Sequence, residues 1–584
     1  MSRLSTRVRA FLWLVGFTLS LPLLLWLFSN WLAGQEAAAA TSQWGDPHVG
    51  VVADTTSSMG PELALLADAY SCTGLDAAWC PPWSTDATQY LVPFRDQVGN
   101  VVSTKSAAEF ANLLDDLSVG RGGECPDAAL PALLTMAANL PAGKTPASDV
   151  LLVTDASPAG QRQQLMFTIN KLIRRGVRVH PLVSGECPQP ALPTEALNVL
   201  ALATGGQAVA PAQSGDYLTD TAIIMNRLGL EDLLVVEAGS IDENDPDLEI
   251  PLGLGGPATT LGVDETDPWS CPPYCCLTCI VPSEVNMAQL QLVRPNGDTV
   301  SENAPGYAHL GSGTQSFIKF QPAGPISGQW KLRISGSGNY FVQVKANTNL
   351  HLALLSPPIL PLNREAPLRA ALIDETGTLL PPLTSTFELV SYFGQGTQAL
   401  TLFDDGAHGD GAAGDGVYGG LVTADQPGLW RLKVSGQLKN GAYFQRLEPV
   451  PIRVPNVRLA DLDERQALLG SERELTFEVE NTTLTQTAGT VGPAASLNEA
   501  VFDLGVESSL GWAISDTVPA SLTLAPGETA QITVTVRIPA EAAAGLVEET
   551  SLAVVPRNDF LGGTVSVART EAAVPLYLPA ILKP

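Results

Sequence analysis

Val49 to Gly60 read VGVVADTTSSMG, a short apolar run that ends in an aspartate and is followed at once by hydroxyl side chains. Asp54, Thr56 and Ser58 alternate, so one turn can direct three oxygens to a common centre. A second apolar run, DVLLVTDA, ends in Asp155. Carboxylate and hydroxyl oxygens with water make a hard donor set, suited to Mg2+, Mn2+ or Ca2+ rather than zinc. The competing reading is structural: Thr56 or Ser58 caps a helix that begins near Pro61. This stretch alone leaves both open.

The flanking pattern says what must position these residues. VGVVAD, YLVPF, DVLLVTDA and VRVHPLVSG read as buried strands. Between them, GPELALLADAY, SAAEFANLLDDL, DAALPALLTMAANL, GQRQQLMFTINKLIRRG and TEALNVLALATGG carry helical periodicity. Such alternation predicts a doubly wound α/β domain, Rossmann-like, over residues 44–231, with a parallel sheet covered on both faces. Ligands of these sheets bind beyond the carboxyl ends of the strands, where Asp54 and Asp155 fall.

After residue 232 helical periodicity nearly vanishes. Short runs of Val, Leu, Thr and Phe alternate with Gly, Pro, Asn and Asp, as in GQWKLRISGSGNYFVQVKA, PGLWRLKVSG and LTLAPGETAQITVTVRIP. About three all-β sandwiches are expected, over 232–350, 351–455 and 456–575, with a tail at 576–584. The chain is therefore multidomain, as 584 residues require.

A net charge of −28, from 32 basic and 60 acidic residues, repels phosphate backbones and argues against nucleic acid as a partner. Residues 1–40 combine Arg3, Arg7 and Arg9 with a long apolar run and then AAAATSQ, the pattern of an export signal. Either this leader is cleaved or residues 11–33 stay as a membrane anchor. In both cases the remainder is expected outside the cytoplasm. Eight cysteines, an even number, then read as disulfides, with Cys72 expected to pair with Cys80. Cys271, Cys275, Cys276 and Cys279 form either two local disulfides or a metal knot, their pairing open.

VVADTTSSMG resembles the D-x-[S/T]-x-S-M motif of von Willebrand factor type A (vWA) domains, which opens their metal-ion-dependent adhesion site (MIDAS). DVLLVTDASP is similar to the strand that carries the last metal-site aspartate, which the resemblance makes Asp155, and ALATGGQAV is similar to a segment near the domain's end. LVPFRDQVG, GRGGECPDAAL and LVSGEC resemble the hemicentin-like subgroup. The family's middle loop supplies a metal-binding threonine, and GRGGECPDAAL has none. Glu124 lies near the missing position and offers a carboxylate, directly or through water. Asp127 is a weaker alternative, as a helix cap. The resemblance also implies a Cys125–Cys187 bridge at the metal rim. It implies an adhesion or protein-binding function, in which the cation's open position accepts a carboxylate from an extracellular partner and no bond is broken.

A second acidic loop, LFDDGAHGDGAAGDGVYGG, interleaves Asp404, Asp405, Asp410 and Asp415 with glycines. It resembles turns of β-sandwich modules in bacterial surface proteins, and the last module resembles their Ig-like repeats. The loop is either a structural Ca2+ site or a turn whose carboxylates bond nearby main-chain amides. No H-E-x-x-H and no G-x-S-x-G occurs, and only five histidines are present. The expectation is a non-enzymatic protein. An exported hydrolase and a structural stalk with a degenerate, metal-free vWA domain are the alternatives.

Overall fold

The computed structural model describes residues 48–574 apart from 74, 76–87, 121–127, 142–147, 185–191, 193–194, 208–216, 229–231, 242–246, 257, 267–288, 313–314, 337, 375, 393–395, 462–464, 484–499, 558 and 560. The leader, Glu124, Asp127, the C-terminal tail and every cysteine except Cys72 lie outside these residues. Cys72 is disulfide-bonded. Among the described residues, no helix is long and apolar enough to cross a membrane.

The first domain is built on a five-stranded sheet of β1 (His48–Asp54), β2 (Thr88–Phe94), β3 (Val102–Thr104), β4 (Ser148–Thr154) and β5 (Val177–Val183). The order is β3-β2-β1-β4-β5. All neighbours run parallel except β2 and β3. Among the described residues, six helices accompany it: α1 (Gly60–Ser71), α2 (Ala107–Asp115), α3 (Ala129–Asn139), α4 (Arg162–Arg174), α5 (Glu195–Thr204) and α6 (Tyr217–Leu228). The expected strands and helices are present, and the alternation gave no hint of the short antiparallel edge β3 or of α6. The strands β1, β4 and β5 are buried along their whole length, which is why they read as apolar runs rather than alternating ones.

Helices cover both faces. Val49, Val51, Ala53, Leu63, Leu66, Phe110 and Ile224 pack on one side, Val52, Leu133, Met136, Leu165, Ile169 and Leu200 on the other. Each fully buried Val, Leu or Ile is worth about 1.5–3 kcal/mol, so this double packing fixes where the carboxyl ends of β1 and β4 lie. The second glycine of TGG is needed for a close approach. A Cβ on Gly206 would lie 1.8 Å from the Val179 carbonyl oxygen.

The remainder is all β. One ten-stranded sheet runs through the first two β modules, joined where β6 (Asp232–Ile241) meets the strand Tyr443–Leu447 at Leu233 and Leu447. Three-stranded sheets close each module. The terminal module packs a four-stranded sheet against a five-stranded one around Phe477, Phe502, Val534 and Leu552. TAQITVTVR alternates in burial as its sequence does.

These modules fold back on the first domain. Met166 and Phe167 of α4 bury against Ala553 and Val555 of the terminal sandwich. Lys171 meets Glu507 at 2.6 Å, and the Gln163 amide donates to the Leu504 carbonyl. At the opposite end of the sheet, the Tyr392 hydroxyl donates to the Gly206 carbonyl, and the Arg431 guanidinium lies 4.3 Å above the Tyr392 ring.

Glu448 lies in this seam, only partly covered by surface area. Desolvation pushes its carboxyl up to about 7, against the Val450 amide and the Arg178 and Arg431 charges. A raised acid holds its proton in the fold between its ordinary value and about 7, so its contribution to stability falls as pH rises through that window. Glu448→Gln is expected to flatten the melting profile between pH 5 and 7.5. Allowing for solvent screening, it should add about 1–2 kcal/mol at pH 8. Thermal melts across that range check it; an unchanged slope overturns it.

Candidate functional site

The turn after β1 is organised by its own aspartate. Asp54 is fully buried, and its Oδ1 accepts the main-chain N–H of Thr56 at 2.8 Å. Its Oδ2 accepts the hydroxyl of Thr154, the last residue of β4, at 3.1 Å. The parallel register sets Ala53 beside Val153, so Asp54 lies next to Thr154, and Asp155 follows directly at the end of β4. Both carboxylates therefore sit at neighbouring carboxyl ends. Each Asp54 oxygen uses one lone pair in these bonds and keeps another for a ligand.

The hydroxyls of Thr56 and Ser58 face one another at 3.2 Å. Neither caps a helix by its side chain: the short 3-10 turn Ser57–Met59 has Thr56 at its N-cap without such a bond, and α1 has Met59 there. Ser58 is exposed and Thr56 half-buried, so the turn presents its oxygens to solvent over a buried carboxylate. Thr55 turns the other way, donating to the Phe94 carbonyl at 3.0 Å, and its own carbonyl accepts the Gly120 amide. Arg95 braces the rim through the Thr55 hydroxyl and the Ser118 carbonyl. Gly120 leads into 121–127, so the middle loop starts against this turn, with Glu124 outside the described residues.

One contributor, Thr154, had no sequence signal as a site residue. Thr154 looked like an ordinary strand residue. Tyr217 opens α6, a helix with no expectation attached. Burial raises the Tyr217 phenol well above its ordinary range, and the Glu62 and Asp155 charges push the same way. Among the described residues, no group of three or more His, Cys, Asp or Glu is placed to hold a metal. The donors here are two carboxylates and two hydroxyls, the hard set that fits a divalent cation with open positions.

The Leu402–Gly420 loop follows a different logic. Asp410 is buried and accepts the amides of Asp405, Gly406 and His408. Asp404 accepts those of Gly414, Asp415 and Gly416. Asp405 accepts Ala407 and the His408 ring, and Asp415 accepts Ala412 and Val417. Gly406, Gly409, Gly411, Gly414 and Gly416 all have positive φ, which lets the chain curl around the carboxylates. Of the two alternatives, the self-bonded turn accounts for all four aspartates. Amide bonding lowers the Asp410 carboxyl despite its burial.

Residues 48–213 match the von Willebrand factor A domain family, and residues 384–454 match the second Ig-like domain of conditioned medium factor. The chain thus opens with a vWA domain and continues into a β-rich region with an Ig-like module. No curated protein sequence matches it. Among solved structures, a von Willebrand factor type A protein from Catenulispora acidiphila is 11% identical, with 56% of this chain and 62% of that one covered, at a TM-score of 0.25. BatB from Bacteroides thetaiotaomicron is 12% identical over 31% of this chain and 98% of its own, at 0.24. Proximal thread matrix protein 1 from the mussel byssus, with a zinc-occupied MIDAS motif, is 14% identical over 30% and 45%, at 0.22. The chain covers less than two thirds of the Catenulispora and mussel proteins.

Proposed function

We propose that this is an exported or cell-surface adhesion protein whose vWA domain binds an extracellular protein partner through a divalent cation. The observation that carries the reading is the Asp54 turn, a buried carboxylate fixed by the Thr56 amide and Thr154 hydroxyl, with Thr56 and Ser58 oxygens beside it and Asp155 at the neighbouring strand end. Asp54, Thr56, Ser58 and Asp155 would hold Mg2+, Mn2+ or Ca2+, with Glu124 as a further oxygen in place of the absent threonine. The cation supplies a Lewis-acidic position for a carboxylate of the partner. This chain's own residues aim the Asp54 carboxylate and leave one side of the turn open to solvent.

Within the vWA family the chain belongs, on this reading, with the hemicentin-like subgroup, on the strength of GRGGECPDAAL and LVSGEC. It has no catalytic role and binds no nucleic acid, and it meets a membrane only through residues 11–33, if those are retained.

Calorimetric titration of the full chain with Mg2+ and with Mn2+ is expected to give saturable heats that Asp54→Ala abolishes. The conservative Asp54→Asn should weaken binding by at least tenfold while the far-UV spectrum stays unchanged. Identical heats for the parent and both variants would refute the metal reading.

A further inference from the structure

A cleft of about 500 Å3 opens between α3, α4 and the terminal sandwich. Leu130, Pro131 and Leu134 of α3, Phe167 of α4 and Val506 of the strand Ala500–Ser508 give it apolar walls. The charged residues on its lining are Asp96 and Glu507, both acidic. Its size suits a ligand group or a short stretch of chain. The sandwich wall is held close to α4, since a Cβ on Gly505 would lie 2.7 Å from the Gln163 Cβ, and the Gln163 amide donates to the Leu504 carbonyl.

The cleft reaches the loops at the carboxyl end of the first domain's sheet. Asp96 follows Arg95, whose Nε donates to the Thr55 hydroxyl at 3.3 Å and whose carbonyl accepts the Ala128 amide at 3.2 Å. Ala159 and Gly160, also on the lining, continue the loop that begins with Asp155. Four residues of chain span at most about 14 Å, so the cleft begins within that distance of Asp155. Lys171 takes one oxygen of Glu507 at 2.6 Å, and the other, Oε2, is covered and has no hydrogen-bond partner among the described residues. An unmade bond at a covered carboxylate oxygen is unfavourable, and a cationic head in the cleft completes it. Lysine and arginine lay an aliphatic stem along apolar walls and carry their charge at the tip. An acidic head would be repelled by both lining carboxylates.

We propose that this cleft takes a lysine or arginine side chain of the protein partner, about three residues from the carboxylate that meets the cation. It rests on the proposed cation site only for where that carboxylate sits. The terminal sandwich is then the second wall of the recognition site, and the first domain alone holds half of it.

Fluorescence anisotropy of the full chain tests it, with labelled peptides Asp-Gly-Gly-Lys and Lys-Gly-Gly-Asp. Two counterparts carry norleucine in place of lysine, which keeps the stem and drops the charge. In Mn2+, one lysine peptide is expected to bind about tenfold tighter than its counterpart, the scale of a hydrogen bond between charged groups. Glu507→Gln and Val506→Arg, both in the terminal sandwich, should cut that preference to about twofold or less. Glu507→Gln also breaks the Lys171 pair, which is half-exposed and adds little to stability, so the variant stays folded. A preference absent from the parent, or unmoved by both variants, overturns the cleft, as does a failure of all four peptides to bind. EDTA reads the cation separately. A lysine preference with affinities unchanged by EDTA upholds the cleft and removes the metal reading, and affinities lost in EDTA with no lysine preference in Mn2+ do the reverse.

Discussion

Replacing Arg446 by methionine is expected to destabilise the β region by about 3–5 kcal/mol. Arg446 is almost completely buried where the two sandwiches join. Its Nε donates to the Leu350 carbonyl at 2.7 Å, Nη1 to those of Gly253 and Gln445, and Nη2 to the Leu254 carbonyl and the Thr348 hydroxyl. Asp232, the first residue of β6, lies 3.9 Å away and also accepts from the Thr348 hydroxyl and amide and bonds the His351 ring. Burial lowers the Arg446 guanidinium, with Asp232 opposing. Methionine fills much of the volume but donates nothing. The carbonyls of Gly253, Leu254, Leu350 and Gln445 would each lose a buried donor, Gly253 keeping the Gln445 amide and Leu350 the Thr348 hydroxyl. The unfolding transition of the β region should fall by roughly 10 °C or more, at about 2–4 °C per kcal/mol for a unit of this size. A fall below about 2 °C would mean that water replaces the guanidinium without cost.

Arg446 also shows where sequence reading stops. RLEPVPIRV gives no sign that its first arginine is the most enclosed large side chain of the junction, because its partners come from near 232, 253 and 348. The Asp54 turn was legible because strand, turn and donors are contiguous, and Asp155 because it ends another apolar run. Thr154 was not, since its role depends on the β1–β4 register. Nor was the fate of the Asp404–Asp415 loop. Spacing cannot say whether a carboxylate turns to a cation or to its own amides; the bonds to main-chain amides depend on glycines with positive φ at several positions of the loop. The separation into modules was legible from turn spacing. That two of them share a sheet was not, because the joint is a single residue pair.

The second large effect is expected at the amino-terminal edge of the first domain's sheet, far from the proposed cation. Asp149 in β4 is buried and bonds two neighbours on β5: Arg178 Nη2 at 2.7 Å and His180 Nε2 at 2.8 Å. The His180 Nδ1 accepts the Gln207 amide, so Nε2 carries the proton and the ring is neutral with both nitrogens occupied. Burial raises the Asp149 carboxyl, but the Arg178 charge and the His180 bond outweigh it and leave it lowered. His180 is lowered chiefly by burial, despite Asp149. Asp149→Ala strands the Arg178 charge inside the domain, which costs about 3–5 kcal/mol.

The pH dependence separates this from simple loss of packing. A carboxyl lowered by folding stabilises above its unfolded value, about 4, and that stability is lost as pH falls through its folded value. A histidine lowered by folding loses stability as pH falls from its unfolded value, about 6.5, because only the unfolded chain takes up the proton readily. Both act in the same direction, and since Glu448 offsets the histidine between about pH 6.5 and 5, the parent should weaken clearly only below about pH 5. Glu448 acts oppositely above pH 5, which places the optimum between the two limbs. In Asp149→Ala the carboxyl contribution is gone, and the stability curve should lie lower at pH 7 yet be shallower between pH 5 and 3. Denaturant melts at pH 7, 5 and 3 measure both features. A variant curve that runs parallel to the parent's would show that Asp149 contributes shape alone and that Arg178 finds another counter-charge.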